Sequence, residues 1–396
     1  MDKKTLLIIG AGYGQLPAIH TAKKMGLIVI VVDKNPDAIG MKYADIACVV
    51  DVVDKEGVLA VAKKYNVNGV VTMQSDLPVP TIGFINDSLN LSGVSFDVAN
   101  FCSNKIETRK LLKKKNAAQP QFEFVESLNE AMSAVGNIGF PCIIKAPDSS
   151  GSRGVTKVNI LEDVNAAYQE ALKWSRGRTI IVEEFIEGLE FGAQTFSING
   201  KCECVLLHND TMSNPPFMIP IGHSFPFVHL NETDSAIAIN DIKNAVDALG
   251  IQDGPANVDL ILDKRNNRIK VIEIGARIGA TCLPELVWHY SGIDWVEQTI
   301  LSSLGEKVDL TVQKKQPVAA LIIESPKDGK FINYKFPFEE INEIKEFEIT
   351  VSEGEDVSQL RKGTDRIGKI LVYGKDPIHA EERASFYREK VEIFVQ

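Results

Sequence analysis

The stretch that decides the fold is residues 257–277, which read NVDLILDKRNNRIKVIEIGAR. Two apolar runs flank a polar turn at residues 264–267, which predicts a β-hairpin. If the turn is centred near Asn266, Asp259 and Glu273 face each other with Cβ atoms roughly 4.5–5.5 Å apart. Facing carboxylates repel each other, and a cation between them removes the repulsion. Hard oxygen ligands of this kind suit Mg²⁺ bound together with nucleotide phosphates. The alternative interpretation is an exposed hairpin with scattered acidic residues, which would have the same sequence pattern.

The bulk composition narrows the class of protein. A chain of 396 residues is too long for one ordinary core and predicts about two to three domains. The formal net charge of −10 argues against nucleic acid or an anionic membrane as the main partner, because both need a basic surface. No stretch approaches the ~20 apolar residues of a membrane span, and the short run ending at Gly10 is expected to be a strand rather than a signal peptide. Six cysteines without a C-x-x-C pair indicate reduced thiols and a cytoplasmic location.

The N-terminal region predicts a parallel sheet. Short β-branched runs at residues 5–9, 28–33, 47–50 and 69–72 alternate with segments of helical periodicity. The first turn reads GAGYGQ from Gly10 to Gln15, and Asp33 ends the next strand. This is close to a dinucleotide-binding fingerprint, but the third glycine falls one place early. A tight strand-to-helix turn needs the same glycines, so an NAD-dependent oxidoreductase remains a weaker alternative.

A lysine and a loop of small residues form the second chemical motif. Lys145 ends an apolar strand, and the segment from Ser149 to Gly154 follows it. Small residues let backbone N–H groups approach phosphate oxygens, while the lysine supplies a positive charge. The lysine precedes the glycines and lies on a strand, so this is not a Walker loop. A solvated strand end with an ordinary turn is the alternative, but the combination favours a phosphate clamp.

The third motif is an acidic strand–turn–strand segment at residues 180–190. Backbone groups of such a connection can pair with an adenine edge, and a carboxylate a few residues later can accept both ribose hydroxyls. Charges that protect a strand edge from aggregation would explain the same residues. Taken alone, the segment favours this second explanation.

In chain order, these segments closely resemble the ATP-grasp superfamily. The resemblance rests on Lys105 at a helix start, Lys145 with its Ser/Gly loop, the 183–190 connector, and the acidic hairpin that ends at Arg277. It implies an α/β ATP-grasp fold in three parts. These are a Rossmann-like pre-ATP-grasp domain at 1–98, an ATP-grasp domain at 99–315 with a small lid lobe at about 118–186, and a C-terminal α+β module at 316–396.

The resemblance also implies the role of each site residue. Two metal carboxylates would bind Mg²⁺, or Mn²⁺ as a substitute, and Arg277 would stabilise an acyl phosphate. Much of the superfamily has an Asn two residues after the second metal carboxylate, where this chain has Gly275. Lys105 and Lys145 would hold the ATP phosphates, and the covering loop would include Ser150, Gly151, Ser152 and Gly154. Adenine would contact Glu183, Glu184, Phe185 and Ile186, and ribose would contact Glu190. The metal carboxylates would be Asp259 and Glu273.

Within the superfamily, the sequence is most similar to L-amino-acid ligases and related carboxylate–amine ligases. Residues 148–155 read DSSGSRGV, and residues 220–226 read PIGHSFP, which resembles a Gly-His-x-x-Pro segment of that group. His223 would orient or deprotonate the amine, because an imidazole exchanges a proton near neutral pH, although a packing role also fits. His208, His229 and His289 have no companion ligands at metal spacing and are expected to be structural.

The resemblance therefore implies a ligase that joins a small carboxylate to an amine through an acyl phosphate and releases ADP and phosphate. A purine-biosynthetic or carbamoyl-phosphate-synthase-like enzyme is the alternative within the superfamily. A biotin-carboxylase-like enzyme is disfavoured because the Gln-x-Glu-His continuation is missing after Arg277. A non-catalytic ATP-binding regulator would keep the phosphate clamp without turnover. The resemblance is compatible with a homodimer that acts on a small carboxylate and an amine.

Overall fold

The computed structural model describes residues 3–147, 154–214, 219–338 and 341–396. Its N-terminal part is a parallel four-stranded sheet in the order β3-β2-β1-β4, flanked by helices. Apolar β-branched residues are buried in β1 and β2, as a sheet covered on both faces requires. The predicted strand–helix alternation is confirmed. The elements are β1 Thr5–Ile9, α1 Leu16–Lys24, β2 Ile28–Asp33, β3 Ile46–Val49, α2 Lys55–Lys64, β4 Gly69–Val71, α3 Val79–Leu89 and α4 Phe96–Cys102.

The glycine-rich turn after β1 is occupied by its own glutamine side chain. The Gln15 amide donates to the carbonyl of Met73 at 2.7 Å and accepts from the Gly12 N–H at 3.0 Å. The Asp33 carboxylate accepts the N–H of Ala11 at 2.9 Å. The side chains of Gln15 and Asp33 thus hydrogen-bond to backbone groups in and around the turn, as a structural role of this motif requires.

A small lobe with its own core follows. Its antiparallel sheet has the order β5-β8-β6-β7, and α6 and α7 pack on it. The preceding helix, α5, begins where predicted, because the Asn104 side chain caps it by accepting from the N–H groups of Ile106 and Glu107. The elements are α5 Lys105–Lys114, β5 Phe122–Val125, α6 Leu128–Ile138, β6 Cys142–Lys145, β7 Val155–Val158, α7 Val164–Trp174 and β8 Ile180–Glu184.

The central feature is an eight-stranded sheet in the order β13-β12-β9-β10-β11-β14-β18-β16. One face packs apolar side chains against α8. Two helices, α9 and α10, follow the hairpin, and the first ends at Gly292, which adopts φ +80°. The elements are β9 Gly188–Ile198, β10 Lys201–Met212, β11 Pro220–Phe225, α8 Glu232–Leu249, β12 Gly254–Asp263, β13 Arg268–Gly275, α9 Leu283–Ser291 and α10 Trp295–Ser303.

The C-terminal segment extends this sheet with β14, β18 and β16 and adds a small sheet, β17-β15-β19. The predicted domain boundary at residue 316 therefore separates β11 from β14 along the chain, although these two strands pair with each other in one sheet. In the described part of the chain, no helix combines the length and apolarity needed to cross a membrane. The elements are β14 Val318–Glu324, β15 Gly329–Lys335, β16 Ile344–Ile349, β17 Asp356–Val357, β18 Arg366–Tyr373, α11 Pro377–Glu389 and β19 Glu392–Val395.

Candidate active site

Two carboxylates face each other on the β12–β13 hairpin. Asp259 pairs directly with Glu273 in the strand register, as predicted. Desolvation, together with the nearby carboxylates of Glu273 and Asp210, raises the pKa of Asp259 to about 7. A divalent cation between the two carboxylates would offset their repulsion, and their oxygen donors suit Mg²⁺. The two residues therefore fit the metal that the ATP-grasp resemblance implies.

A chain of hydrogen bonds orients the first of these carboxylates. The Asn257 amide donates to Asp259 Oδ1 at 2.8 Å. The Gln194 amide donates to Asn257 Oδ1 at 2.6 Å and accepts from the N–H of Gly279 at 3.0 Å. The loop after β13 is thereby connected to the candidate metal carboxylate through two buried or half-buried amides.

Cationic side chains lie on both sides of the hairpin. The Lys105 ammonium lies 3.3 Å from Glu273 Oε1. Arg277 forms a two-point ion pair with Asp76, on the loop after β4, with Nε–Oδ1 at 2.8 Å and Nη2–Oδ2 at 2.9 Å. The guanidinium predicted to stabilise an acyl phosphate is thus held beside the metal carboxylates by the N-terminal domain.

A buried ion triad joins the lid lobe to α5. Glu183 Oε1 lies 2.6 Å from Arg109 Nε, and Glu183 Oε2 lies 2.6 Å from Lys145 Nζ. Burial alone would raise the pKa of Glu183, but the two cations outweigh it and hold the value at about 2. Arg109 also donates to the carbonyls of Val271 and Ile272 on β13. The Glu183 side chain, predicted near adenine, therefore anchors Lys145, the predicted phosphate ligand.

The remaining predicted adenine residues form the β8–β9 connector. The Glu184 N–H donates to the carbonyl of Gln121 at 2.9 Å. The Glu184 carboxylate pairs with Arg265 at 2.5 Å, and Ile186 is buried. The Phe185 ring lies 3.7 Å below the ammonium of Lys157, measured to the ring centroid.

Three residues of the predicted covering loop, Ser150, Gly151 and Ser152, lie outside the described residues. Gly154, where the description resumes, accepts the N–H of Ala146 at 3.0 Å. Its φ of +63° and the 2.7 Å between an added Cβ and Trp174 leave no room for a side chain. The loop therefore returns to the sheet through a position that requires glycine.

A carboxylate and two imidazoles lie on β10 and β11. Asp210 Oδ1 lies 2.7 Å from His223 Nδ1 and 2.9 Å from His208 Nδ1. Burial alone would raise the pKa of Asp210, but the two imidazoles hold it below its usual range. Desolvation, with Asp210 nearby, raises the pKa of Glu190, the predicted ribose ligand.

The expectation that His208 has no companion ligands is wrong. Ligand atoms of His208, Asp210 and His223 all lie within 4.8 Å of one another, which is close enough to hold a metal ion. Strand pairing brings together residues whose spacing along the chain shows no metal motif.

Sequence reasoning missed three residues: Arg109, Asp76 and Asp210. Arg109 had a signal, because it follows Lys105 by four positions and lies on the buried side of α5. Asp210 had a weaker one, two positions after His208 on a strand. Asp76 had none, since it reaches the site only through packing of the N-terminal domain.

Comparison with known proteins defines the class. Residues 138–285 match the family model of the ATP-grasp domain. The chain therefore contains an ATP-grasp domain. Phosphoribosylglycinamide synthetase from Anaerococcus prevotii matches with a TM-score of 0.87 and 27% identity, covering 100% of both chains. A formate-dependent phosphoribosylglycinamide formyltransferase of Saccharolobus solfataricus strain P2 is 25% identical over 402 residues, which cover 96% of this chain and 94% of the relative.

An L-amino acid ligase from Bacillus licheniformis matches with a TM-score of 0.81 and 22% identity, covering 100% of both chains. This likeness shows the fold alone. The comparisons confirm the predicted ATP-grasp fold and the assignment to the ATP-grasp ligases. They support the purine-biosynthetic alternative more strongly than the amino-acid ligase.

Proposed function

We propose that this protein is an ATP- and Mg²⁺-dependent carboxylate–amine ligase that works through an acyl phosphate. The observation that carries the proposal is the facing pair Asp259–Glu273, with the Lys105 ammonium 3.3 Å from Glu273. Arg277, two residues beyond β13, adds a second cation beside the pair. The site thus combines carboxylates for a metal with cations for phosphate oxygens, as phosphoryl transfer requires.

The chemistry follows from charge. Transfer of the ATP γ-phosphoryl group to a carboxylate concentrates negative charge between the reactants, and bound Mg²⁺ would neutralise part of it. Lys105 and Arg277 supply positive charge at the same place. Lys145, anchored on β6 by Glu183, would present a remaining N–H donor of its ammonium to a phosphate oxygen. The predicted role of the 149–154 loop, to cover the acyl phosphate and exclude water, falls largely on residues outside the described ones.

The amine then attacks the acyl carbon, and phosphate leaves. His223 is the candidate to accept the amine proton, and Asp210 positions its ring through Nδ1 at 2.7 Å. A neutral imidazole that donates through Nδ1 presents Nε2 as a base. This arrangement forms a carbon–nitrogen bond and releases ADP and phosphate.

For the substrate class, we propose formate or a similarly small carboxylate and a ribonucleotide amine as the first pair to test. Two full-length likenesses, at 25% and 27% identity, are to a formate-dependent phosphoribosylglycinamide formyltransferase and a phosphoribosylglycinamide synthetase. Paired amino acids are the second class, because the 220–226 segment resembles that of the amino-acid ligases.

Two experiments test the proposal: a thermal-shift measurement of nucleotide binding, and an assay that follows a labelled carboxylate oxygen into phosphate. ADP with Mg²⁺ should raise the unfolding temperature; stabilisation by NAD alone would refute the proposal. With a carboxylate labelled in both oxygens, one labelled oxygen should appear in released phosphate, because phosphorylation joins it to phosphorus. Formation of AMP and pyrophosphate would overturn the acyl-phosphate mechanism.

A further inference from the structure

Two histidines and an aspartate converge on β10 and β11, and together they form the His–Asp–His cluster. Asp210 pairs with His223 across the two strands, and His208 lies two positions before Asp210 on the same face of β10. The centroids of the two imidazole rings lie 4.9 Å apart and the ring planes meet at 78°, so the rings approach the carboxylate from different sides. In the described part of the chain, no other three acidic, imidazole or thiol side chains bring their ligand atoms within 4.8 Å of one another.

The spacing of the three ligand atoms is close to that around a bound metal ion. Asp210 Oδ1 lies 2.7 Å from His223 Nδ1 and 2.9 Å from His208 Nδ1. Zinc binds imidazole nitrogen and carboxylate oxygen at about 2.0–2.2 Å, which places neighbouring ligand atoms roughly 3.0–3.5 Å apart. The cluster therefore has to open by only about half an ångström to enclose an ion.

Packing holds the imidazoles in this arrangement. The side chains of His208 and His223 are 2% and 7% exposed. The His208 ring lies against Gly192 of β9, where an added Cβ would be 2.3 Å from His208 Cε1, so the ring depends on the missing side chain for its place. His208 Nε2 is buried without a hydrogen-bond partner among the described residues. No bond within that part of the chain therefore fixes the hydrogen of this ring on one nitrogen.

The charge around the cluster favours a cation. Desolvation and then the Asp210 carboxylate raise the pKa of Glu190. The pKa of Asp259 is raised by desolvation, by Glu273 and then by Asp210. A positive ion on Asp210 would reduce the repulsion that both neighbours experience. One strand, β9, separates β10 from β12, so this ion would lie about two strand spacings, or ~10 Å, from the candidate magnesium carboxylates.

We propose that the His–Asp–His cluster is a second metal site, separate from the Asp259–Glu273 pair, and that it binds a divalent transition-metal ion, with Zn²⁺ as the probe. Imidazole nitrogen is a good ligand for Zn²⁺, whereas Mg²⁺ prefers oxygen ligands, so the two sites select different ions. Three protein ligands leave a fourth position around zinc for water.

Binding of the ion changes the hydrogen positions of both rings. Without the ion, each imidazole donates its Nδ1–H to the ionised carboxylate, which can only accept. With the ion, each Nδ1 lone pair binds the metal and the hydrogen moves to Nε2, so no proton is released. His223 Nε2 then carries a hydrogen and cannot accept a proton from an amine. Inhibition of the amine step is a consequence that rests on the proposed function, whereas the metal site itself does not.

Zinc titration of the full chain tests the site. The protein is kept in reducing buffer with excess Mg²⁺, which fills the oxygen sites, and Zn²⁺ is titrated against a chromophoric chelator. We expect one tightly bound Zn²⁺ per chain. His208→Gln should weaken this binding more than about 100-fold, since even outer-shell changes cost about 10–100-fold in metal affinity. His229→Gln removes an exposed imidazole outside the cluster and should leave the affinity unchanged. Equal affinities of the wild type and His208→Gln, or no tight binding by the wild type, would overturn the inference.

X-ray absorption by the Zn²⁺-loaded wild type identifies the ligands without any substitution, so it does not depend on the folding of a variant changed at a buried position. Two imidazole ligands with oxygen and no sulfur are expected. Fewer than two imidazoles, or sulfur from the free cysteines, would contradict ligation by the cluster. Binding of ADP with Mg²⁺, measured by calorimetry, is a separate readout: its failure would reject the proposed function and leave the zinc result standing.

Discussion

The replacement Glu183→Gln tests the buried triad. Arg109, Glu183 and Lys145 are 1%, 4% and 6% exposed in their side chains. Removing the negative charge leaves two cations in a site with little water. Loss of one partner of a buried ion pair costs about 3–5 kcal/mol of unfolding free energy. We expect a loss of this size, because Gln keeps the volume of Glu but cannot compensate either charge.

Urea unfolding followed by circular dichroism measures this loss, and hydrogen exchange of residues 180–184 locates it in the lid lobe. The matched control is Glu184→Gln, one residue further along the same strand. Its partner Arg265 is 56% exposed, so that pair contributes about 0–1 kcal/mol. If both variants lost less than about 1 kcal/mol, the triad would not anchor Lys145, and its assignment as an oriented phosphate ligand would fail.

Further outcomes follow from the other charged groups of the site. Glu273→Gln should still bind ADP while phosphate release falls about 10²–10³-fold, and unchanged turnover would make the hairpin merely structural. The pKa of Asp259, raised to about 7, predicts that Mn²⁺ affinity falls as the pH drops below about 7, because proton and metal compete for one carboxylate; Asp259→Asn should flatten the calorimetric pH profile. The pKa of Glu183 is lowered to about 2, so its ionised carboxylate stabilises the folded state at pH values above its unfolded pKa of about 4.3. This stability is lost as the pH falls from about 4.3 towards 2. Glu183→Gln should lack this acid step in urea unfolding. Asp210→Asn should lower kcat more than it changes KM and alter the pH profile, because His223 loses the carboxylate that orients it; a changed KM alone would argue for a packing role.

Several parts of this protein are determined by sequence over short distances. The alternation of β12 and β13 about a polar turn predicts the hairpin itself. The turn pairs Leu260 with Val271, and a β-bulge between Asp259 and Leu260 then brings Asp259 opposite Glu273. The cap at Asn104 and the strand–helix alternation over β1 to β4 likewise depend on local patterns.

The tertiary structure decides the rest. Asp76 meets Arg277 across 201 positions of sequence, and Arg109 meets Glu183 across 74. Neither contact has a period or a spacing that a sequence could display, since each depends on how two separately folded parts dock. Gly275 shows the difference most clearly: in the sequence it is a missing ligand, whereas in the folded chain its lack of a side chain makes room for the carboxylate of another domain.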